Sequence, residues 1–411
     1  MNRDLQPSGF PQESRATPAA RRERIAWLDL FRGAAVLVMI ETHVVNTFLA
    51  TAVRAESWFA ILNYLNGLVA PSFLFIAGFV QGMERSPLPK ADAGPAAAGA
   101  SPPLAPPKPV HFARRARRLL GIGLIGYALH FPWTELVQQR WDAALRIGSQ
   151  VDVLQCIAAS LGLLLFVTWL AQEIGGRHKP LHLRRLRLGD RVWWAATAVL
   201  LMLVAMSAPF AANWTNLPIP LRAWMNSSTG SWFPLFPWAG FVFAGAIAGA
   251  GSRLGQAARD NAGNTAPSAP LPFPGQFAFF RVRPSAMLVA SLPLAVAAWS
   301  SRGAHYSSVS PASFLERTAW VLLLAAVCEW LATHCRLPAV VLFAGQRSLT
   351  LYVVHLVLIS TLVAFGVPAQ IFPLAGVLGM ILVVGSTSLA VTWCLARFRI
   401  KPRSAASFAN R

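Results

Sequence analysis

Ten apolar runs, joined mostly by short connections rich in arginine, constrain this chain more than any other feature. They lie at residues 26–50, 58–83, 113–133, 149–171, 191–211, 233–252, 285–300, 313–333, 346–366 and 371–396. All but 285–300 reach the roughly 20 residues that an α-helix needs to cross the hydrocarbon core of a bilayer. Of the 411 residues, 55% are hydrophobic and only 13% charged, about half the charged share of a soluble domain. In lipid only a helix or a closed barrel satisfies its own backbone polar groups. The sequence therefore predicts an all-α, polytopic integral membrane protein with about ten transmembrane helices. The stretch 337–345 fits either a re-entrant piece or an early start to the ninth helix.

The formal charge of +20 would suggest nucleic acid as partner in a soluble protein. Here the basic residues sit between the apolar runs, so they report orientation instead, and no nucleic-acid role is expected. With ten spans, the connections on the side of the termini hold 28 Lys and Arg, and the opposite connections hold five. That bias places both termini in the cytoplasm. The bias toward Arg and Ala hints at a GC-rich bacterial genome, and so at the inner (cytoplasmic) membrane. The first 24 residues are polar and the first run is charged, unlike a secretory signal. Cys156, Cys328, Cys335 and Cys394 stand singly, with neither metal-ligand nor disulfide spacing.

A single membrane domain is expected over 26–396, with cytoplasmic tails at 1–25 and 397–411. Two Pro-, Ala- and Gly-rich connections, 84–110 and 255–276, lack the apolar content to build a core and are expected to be disordered. No internal repeat is evident, which disfavours a transporter built from inverted halves.

The first run, "LDLFRGAAVLVMIETHVV" (28–45), carries Asp29, Arg32, Glu41 and His43, each costly in hydrocarbon unless paired or used. Eleven residues separate Arg32 from His43, three turns plus about 20°, with a rise of about 16 Å. The two share one face at different depths. Asp29 lies one turn before Arg32 and can pair with it. Glu41 points about 200° away from His43. An imidazole titrates near neutrality and can take a proton from a nucleophile. It could equally be a polar residue bonded to a neighbouring helix, and Asp29 with Arg32 could be only an ion pair fixing the helix end.

These residues carry a resemblance. "LDLFRG" followed by Arg32, ten residues and His43 resembles the signature of membrane acyltransferases that modify sugars, and in particular bacterial homologues of heparan-α-glucosaminide N-acetyltransferase. "APSFLFIAGF" (70–79), "VDVLQCIA" (151–158), "FPLFPWAGFVFAGA" (233–246) and "GQRSLTLYVVH" (345–355) match further, in the same order. Where many relatives have an acid directly before the histidine, this chain has Thr42, with Glu41 one position earlier. The group that supports His43 is therefore left open.

Other polar residues fall where the topology lets them meet His43 in a shared outer cavity. They are Asn63 and Asn66, Tyr127 and His130, Asp152 and Gln155, and Trp238 beside Pro237. Ser149-x-x-Asp152 also matches a helix capping box. Asn63, Asn66 and His130 read equally as partners between helices, and Trp238 as part of an interfacial belt. "GAIAG" (245–249) reads as close helix packing rather than phosphate binding. Ser348, Tyr352 and His355 share one helix stripe, and in the relatives that motif lines the core beside the catalytic helix. The arginines of "RRARR" (114–118) and "RRLRLGDR" (184–191) are explained by topology, or by binding the phosphates of coenzyme A.

The resemblance implies transfer of an acetyl or related acyl group from cytoplasmic acetyl-CoA to an amino or hydroxyl group of an extracytoplasmic sugar or glycoconjugate, without a metal. His43, Arg32 and Asp29 would be catalytic, and Asn66, Asp152, Gln155, Trp238, Ser348, Tyr352 and His355 would bind substrate. The partners are the lipid bilayer, the acyl-CoA and the acceptor, and a homo-oligomer is compatible with the sequence. His43 could act as general base or carry the acyl group itself. Two other readings use the same intramembrane charges: a proton-coupled transporter, and a subunit of a polysaccharide export assembly with no chemistry of its own.

Overall fold

The computed structural model describes residues 25–85, 112–176, 188–263, 286–301, 307 and 309–398. Among these it is all-helical, with one isolated β-bridge, Leu49 to Phe372. The elements are α1 (Ala26–Phe48), α2 (Thr51–Arg54), α3 (Ser57–Asn66), α4 (Val69–Arg85), α5 (Phe112–Leu129), α6 (Trp133–Val137), α7 (Trp141–Ser149) and α8 (Val153–Gly176). There follow α9 (Leu188–Ala211), α10 (Ile219–Met225), α11 (Leu235–Gly263), α12 (Ala286–Ser300), α13 (Pro311–His334), α14 (Ala339–Gln346), α15 (Ser348–Ala364) and α16 (Leu374–Phe398).

Among the described residues, each of the ten apolar runs is mostly helical. Six helical stretches are long and apolar enough to cross a membrane: Ser57–Glu84, Val153–Ile174, Leu188–Ala211, Leu235–Ser252, Pro311–His334 and Leu374–Phe398. A seventh arises if α14 and α15, bent by 88° about Arg347, form one broken span. The chain is thus a multi-pass membrane protein. The runs outside this set differ for physical reasons. Asp29, Arg32 and Glu41 dilute α1, four arginines open α5, and α12 has only 15 residues.

Both connections expected to be disordered begin as helix, and α4 runs through Arg85 into the first of them. α11 continues to Gly263, into the connection expected at 255–276, so its first residues are helical. Residues 86–110, 264–276, the N-terminal tail through residue 24 and the C-terminal tail from residue 399 lie outside the described residues. The connections 134–148 and 212–232 contain the short helices α6, α7 and α10. Trp133, Trp141, Trp214 and Trp232 are exposed on or beside them, as suits side chains at the boundary of lipid and water.

The charged helix α1 is enclosed on most of its circumference, with Val38 exposed. It packs against α3, α4, α13, α14, α15 and α16, and Val36, Ile40, Val44 and Phe48 along it are fully buried or nearly so. Gly33 and Gly345 bring α1 and α14 into backbone contact: a Cβ at Gly345 would overlap the Asp29 carbonyl, and one at Gly33 the Val341 carbonyl. Gly78 and Gly82 of α4 meet the backbone of Val242 and Ala246, while Gly245 and Gly249 of α11 meet that of Phe75 and Phe79. "GAIAG" is therefore packing, as expected of small residues four apart in membrane helices.

The far end of α1 is also fixed. Arg54 donates to the carbonyls of Val45 (3.1 Å), Asn46 (2.6 Å) and Leu49 (3.1 Å), meeting the acceptors left at a helix C-terminus. Phe372 and Gln370, between α15 and α16, donate backbone N–H groups to Phe48 and Thr47. This anchoring holds the turn that carries His43.

Candidate functional site

His43 sits half-buried on α1, where α15 crosses it, with its ring centroid 5.2 Å from that of His355. Thr42 bonds back to Val38 O at 2.8 Å, within its own helix. Glu41 interacts with Asn66 on α3, around the helix from His43. The neighbour of His43 that the sequence leaves open is therefore another histidine, supplied by the bent ninth segment.

His355 is fully buried. Its Nδ1 lies 2.9 Å from Leu351 O, and a carbonyl only accepts, so Nδ1 carries the proton and Nε2 presents a lone pair. That Nε2 is buried and has no hydrogen-bond partner among the described residues. One turn earlier, Tyr352 packs edge-on against His355 with centroids 5.6 Å apart. Its hydroxyl donates to Asp152 Oδ2 at 2.5 Å, a short, charge-assisted bond. His130 Nδ1 stands 3.9 Å from the same carboxylate oxygen. The group grades from a 37% exposed side chain at His130, through 14% at Asp152, to the buried pair on α15.

Asp152 lies in the extended link between α7 and α8, and the capping box differs from the expected one. Ser149 ends α7 instead of capping α8. Gln155 Oε1 accepts from the Asp152 N–H at 3.2 Å, so the reciprocal half of the motif is made one turn later. This leaves the Asp152 carboxylate for Tyr352. Gln155 is buried, and its Nε2 has no partner among the described residues.

The remaining candidates are distributed. Asp29 and Arg32 pair at 3.9 Å, with Arg32 about 16 Å along α1 from His43. Gly345 rests on the backbone of Asp29 and Gly33, so the break at Arg347 and the start of α15 at Ser348 lie beside that turn. Asn66 is with Glu41, away from His43. Trp238 packs edge-on to Phe233 at 4.8 Å, and the Arg317 guanidinium lies 5.6 Å from its ring centroid. The Phe233 N–H donates to Val151 O at 3.1 Å, tying this aromatic group to the link before Asp152.

Two features were missed as site residues. His130 joins Asp152; the sequence places it at the shared cavity and equally as a partner between helices, and not among the substrate-binding residues. Glu316, buried, accepts from Tyr64 at 2.7 Å, and with Arg317 it puts an acid and a base inside an apolar run. That pattern is itself the signal for an intramembrane polar site.

A cavity of about 520 Å³ beside Ala34, Val38 and Arg336 lies on the side of α1 opposite His43, since Ala34 is nine residues, about 180°, away. A second, of about 350 Å³ between α5 and α8, reaches Gln155 and Tyr127. Among the described residues no three His, Cys, Asp or Glu side chains are placed to hold a metal ion.

Comparison with curated proteins gives no match. Residues 24–175, which carry Arg32, His43, His130, Asp152 and Gln155, match the family model described as heparan-alpha-glucosaminide N-acetyltransferase, catalytic.

Proposed function

We propose that this protein is a membrane acyltransferase that moves an acetyl group from cytoplasmic acetyl-CoA to an amino or hydroxyl group of a sugar on the other side of the membrane. The observation that carries this reading is the convergence of His43 and His355, beside the Tyr352–Asp152 bond, in a chain whose first part matches an acetyltransferase catalytic region. Ten spans with both termini cytoplasmic, in a bacterial inner membrane, complete the topology. Arg32, ordered by Asp29, then lies toward the donor side, and His43 toward the acceptor.

In the direct form of the reaction, an imidazole nitrogen of His43 takes the proton of the acceptor N–H or O–H as that atom bonds to the acyl carbon. The carbon–sulfur bond breaks and coenzyme A leaves as thiolate, to which the imidazolium returns the proton. The His355 Nε2, buried and without a partner among the described residues beside the His43 ring, supplies an acceptor that a protonated neighbour can use. Asp152, held by Tyr352, contributes the negative charge that stabilises the cationic histidine. Near the positive end of α15, Arg32 and Arg347 suit the phosphates of the donor.

The test is to incubate the purified protein with radiolabelled acetyl-CoA and a panel of amino sugars, following thiol release and label in the sugar. The reading requires both, and loss of both in His43→Ala. Flux of sugar or protons without thioester turnover would identify a transporter instead.

A further inference from the structure

Of the residues of α5, Gly126 alone is buried, and the space its side chain would fill is taken by a neighbour. A Cβ there would lie 2.5 Å from Gln155 Oε1 and 2.6 Å from Gln155 Cδ, well inside contact distance. The amide of a residue on α8 thus rests where α5 has no side chain. The other glycines of α5 differ. A Cβ at Gly121 meets no atom within 4 Å, and one at Gly123 meets only the Ala158 Cβ, at 3.6 Å.

The amide does something specific in that space. A backbone N–H only donates, so the amide oxygen is the end that meets the Asp152 N–H, at 3.2 Å. The backbone on either side is already held. Val151 N–H donates to Ser231 Oγ at 3.0 Å, Val151 O accepts from Phe233 at 3.1 Å, and Asp152 O accepts from Cys156 at 3.1 Å. The Gln155 bond fixes the peptide group between them, at the residue whose carboxylate takes the Tyr352 hydroxyl.

Packing alone does not account for this amide. Its Nε2 is buried without a partner among the described residues, which carries a cost that an apolar side chain of the same shape would avoid. Gly126 also reaches Asp152 by a second route. Its carbonyl lies 3.3 Å from His130 Nδ1, which therefore carries the proton, and the same nitrogen stands 3.9 Å from Asp152 Oδ2. Two neighbours of Asp152, Gln155 and His130, rest on one glycine.

We infer that Gly126 is a positioning residue for the proposed transfer: the absence of its side chain seats the Gln155 amide, and the amide holds the Asp152 backbone so that the carboxylate meets Tyr352. The inference rests on the acyltransferase reading for what the placement of Asp152 serves, and deepens it with a residue that acts only through others.

The experiment uses Gly126→Ala in the full chain, in nanodiscs. The overlap falls on the end of a flexible side chain and not on backbone, so α5 and α8 stay packed while the amide leaves Asp152. Alanine favours helix over glycine, so the variant should melt no lower than wild type. Its turnover should nonetheless fall about tenfold, the low end for loss of a hydrogen bond to a charged group, in kcat and not in the KM for acetyl-CoA. The loss should vanish where its route is already cut: adding Gly126→Ala to Gln155→Ala or to Asp152→Asn should change turnover by no more than about twofold. Gly123→Ala, one turn earlier, should match wild type throughout.

The displacement is also read without turnover, by fluorine NMR of protein labelled with 3-fluorotyrosine, where the Tyr352 signal is the one absent from Tyr352→Phe. It should move in Gly126→Ala toward its position in Asp152→Asn. Gln155→Ala, which removes the amide and adds no atom, should move it the same way. A signal that stays in place in both variants, a lowered melting temperature in Gly126→Ala, or a tenfold loss that persists in the Gln155→Ala and Asp152→Asn backgrounds overturns the proposal. A moved signal in a protein with no thioester turnover would sink the acyltransferase reading alone. Wild-type thioester turnover that Gly126→Ala leaves unchanged would sink the positioning role alone.

Discussion

Tyr352 donates a hydrogen bond to Asp152 across 200 residues of chain, joining the bent ninth segment to the link that precedes α8. The bond matters because Tyr352 also packs on His355, and His355 faces His43. The bond thus ties the residues beside His43 to the link before α8, while α15 itself packs on α1.

The two ends of that bond should behave as a unit. Tyr352→Phe and Asp152→Asn are each expected to lower turnover about 10- to 100-fold, in keeping with ~1.5–3 kcal/mol for a hydrogen bond to a charged group. The double variant should be no more than about threefold worse than the weaker single, since groups in one bond are not additive. Steady-state rates for the four proteins, with gel filtration to establish folding, make the check. Fully additive losses would mean that the bond plays no part in the site.

His355 is expected to matter through its Nε2 rather than its shape. His355→Phe keeps a ring against Tyr352 and His43 but has no acceptor, and should lose about 100-fold in turnover, at the low end of proton-transfer effects. His355→Gln, which keeps an acceptor, should recover part of that loss. Equal turnover in His355→Phe and wild type would reduce this residue to packing.

Gly345 permits the close crossing of α14 on α1. Gly345→Val drives a side chain into the Asp29 backbone, and overpacking of this kind costs about 1–3 kcal/mol. A lower melting temperature in detergent is expected, together with weaker activity. Gly379→Ala on α16, where a Cβ meets no atom within 4 Å, should melt as wild type does.

Arg32 lies about 16 Å along α1 from His43 and is assigned to the donor side. Arg32→Ala should raise the apparent KM for acetyl-CoA more than that for the acceptor. Initial rates with each substrate varied in turn separate the two, and an unchanged donor KM would remove Arg32 from that role.

Much of this arrangement is legible in the sequence because helical periodicity is fixed. The face shared by Arg32 and His43 follows from their spacing, and so does the stripe of Tyr352 and His355. The pairing of Tyr352 with Asp152 is not legible, since nothing local to either residue encodes a partner 200 positions away. The capping box was misplaced because the sequence reads 134–148 as a plain connection, whereas α7 ends at Ser149. His130 stayed in the background because its role depends on where Asp152 points. Depth alone places Asn66 level with His43, and the structure adds that it bonds to Glu41.

The most direct test of the account traps radiolabelled acetyl-CoA inside proteoliposomes, selects the orientation with cytoplasmic termini inside, and supplies an amino-sugar acceptor only outside. The account predicts labelled acceptor in the outer medium and unlabelled coenzyme A within, with both lost in His43→Ala while the variant remains folded and inserted. Label transfer that continues at the wild-type rate in His43→Ala would contradict it.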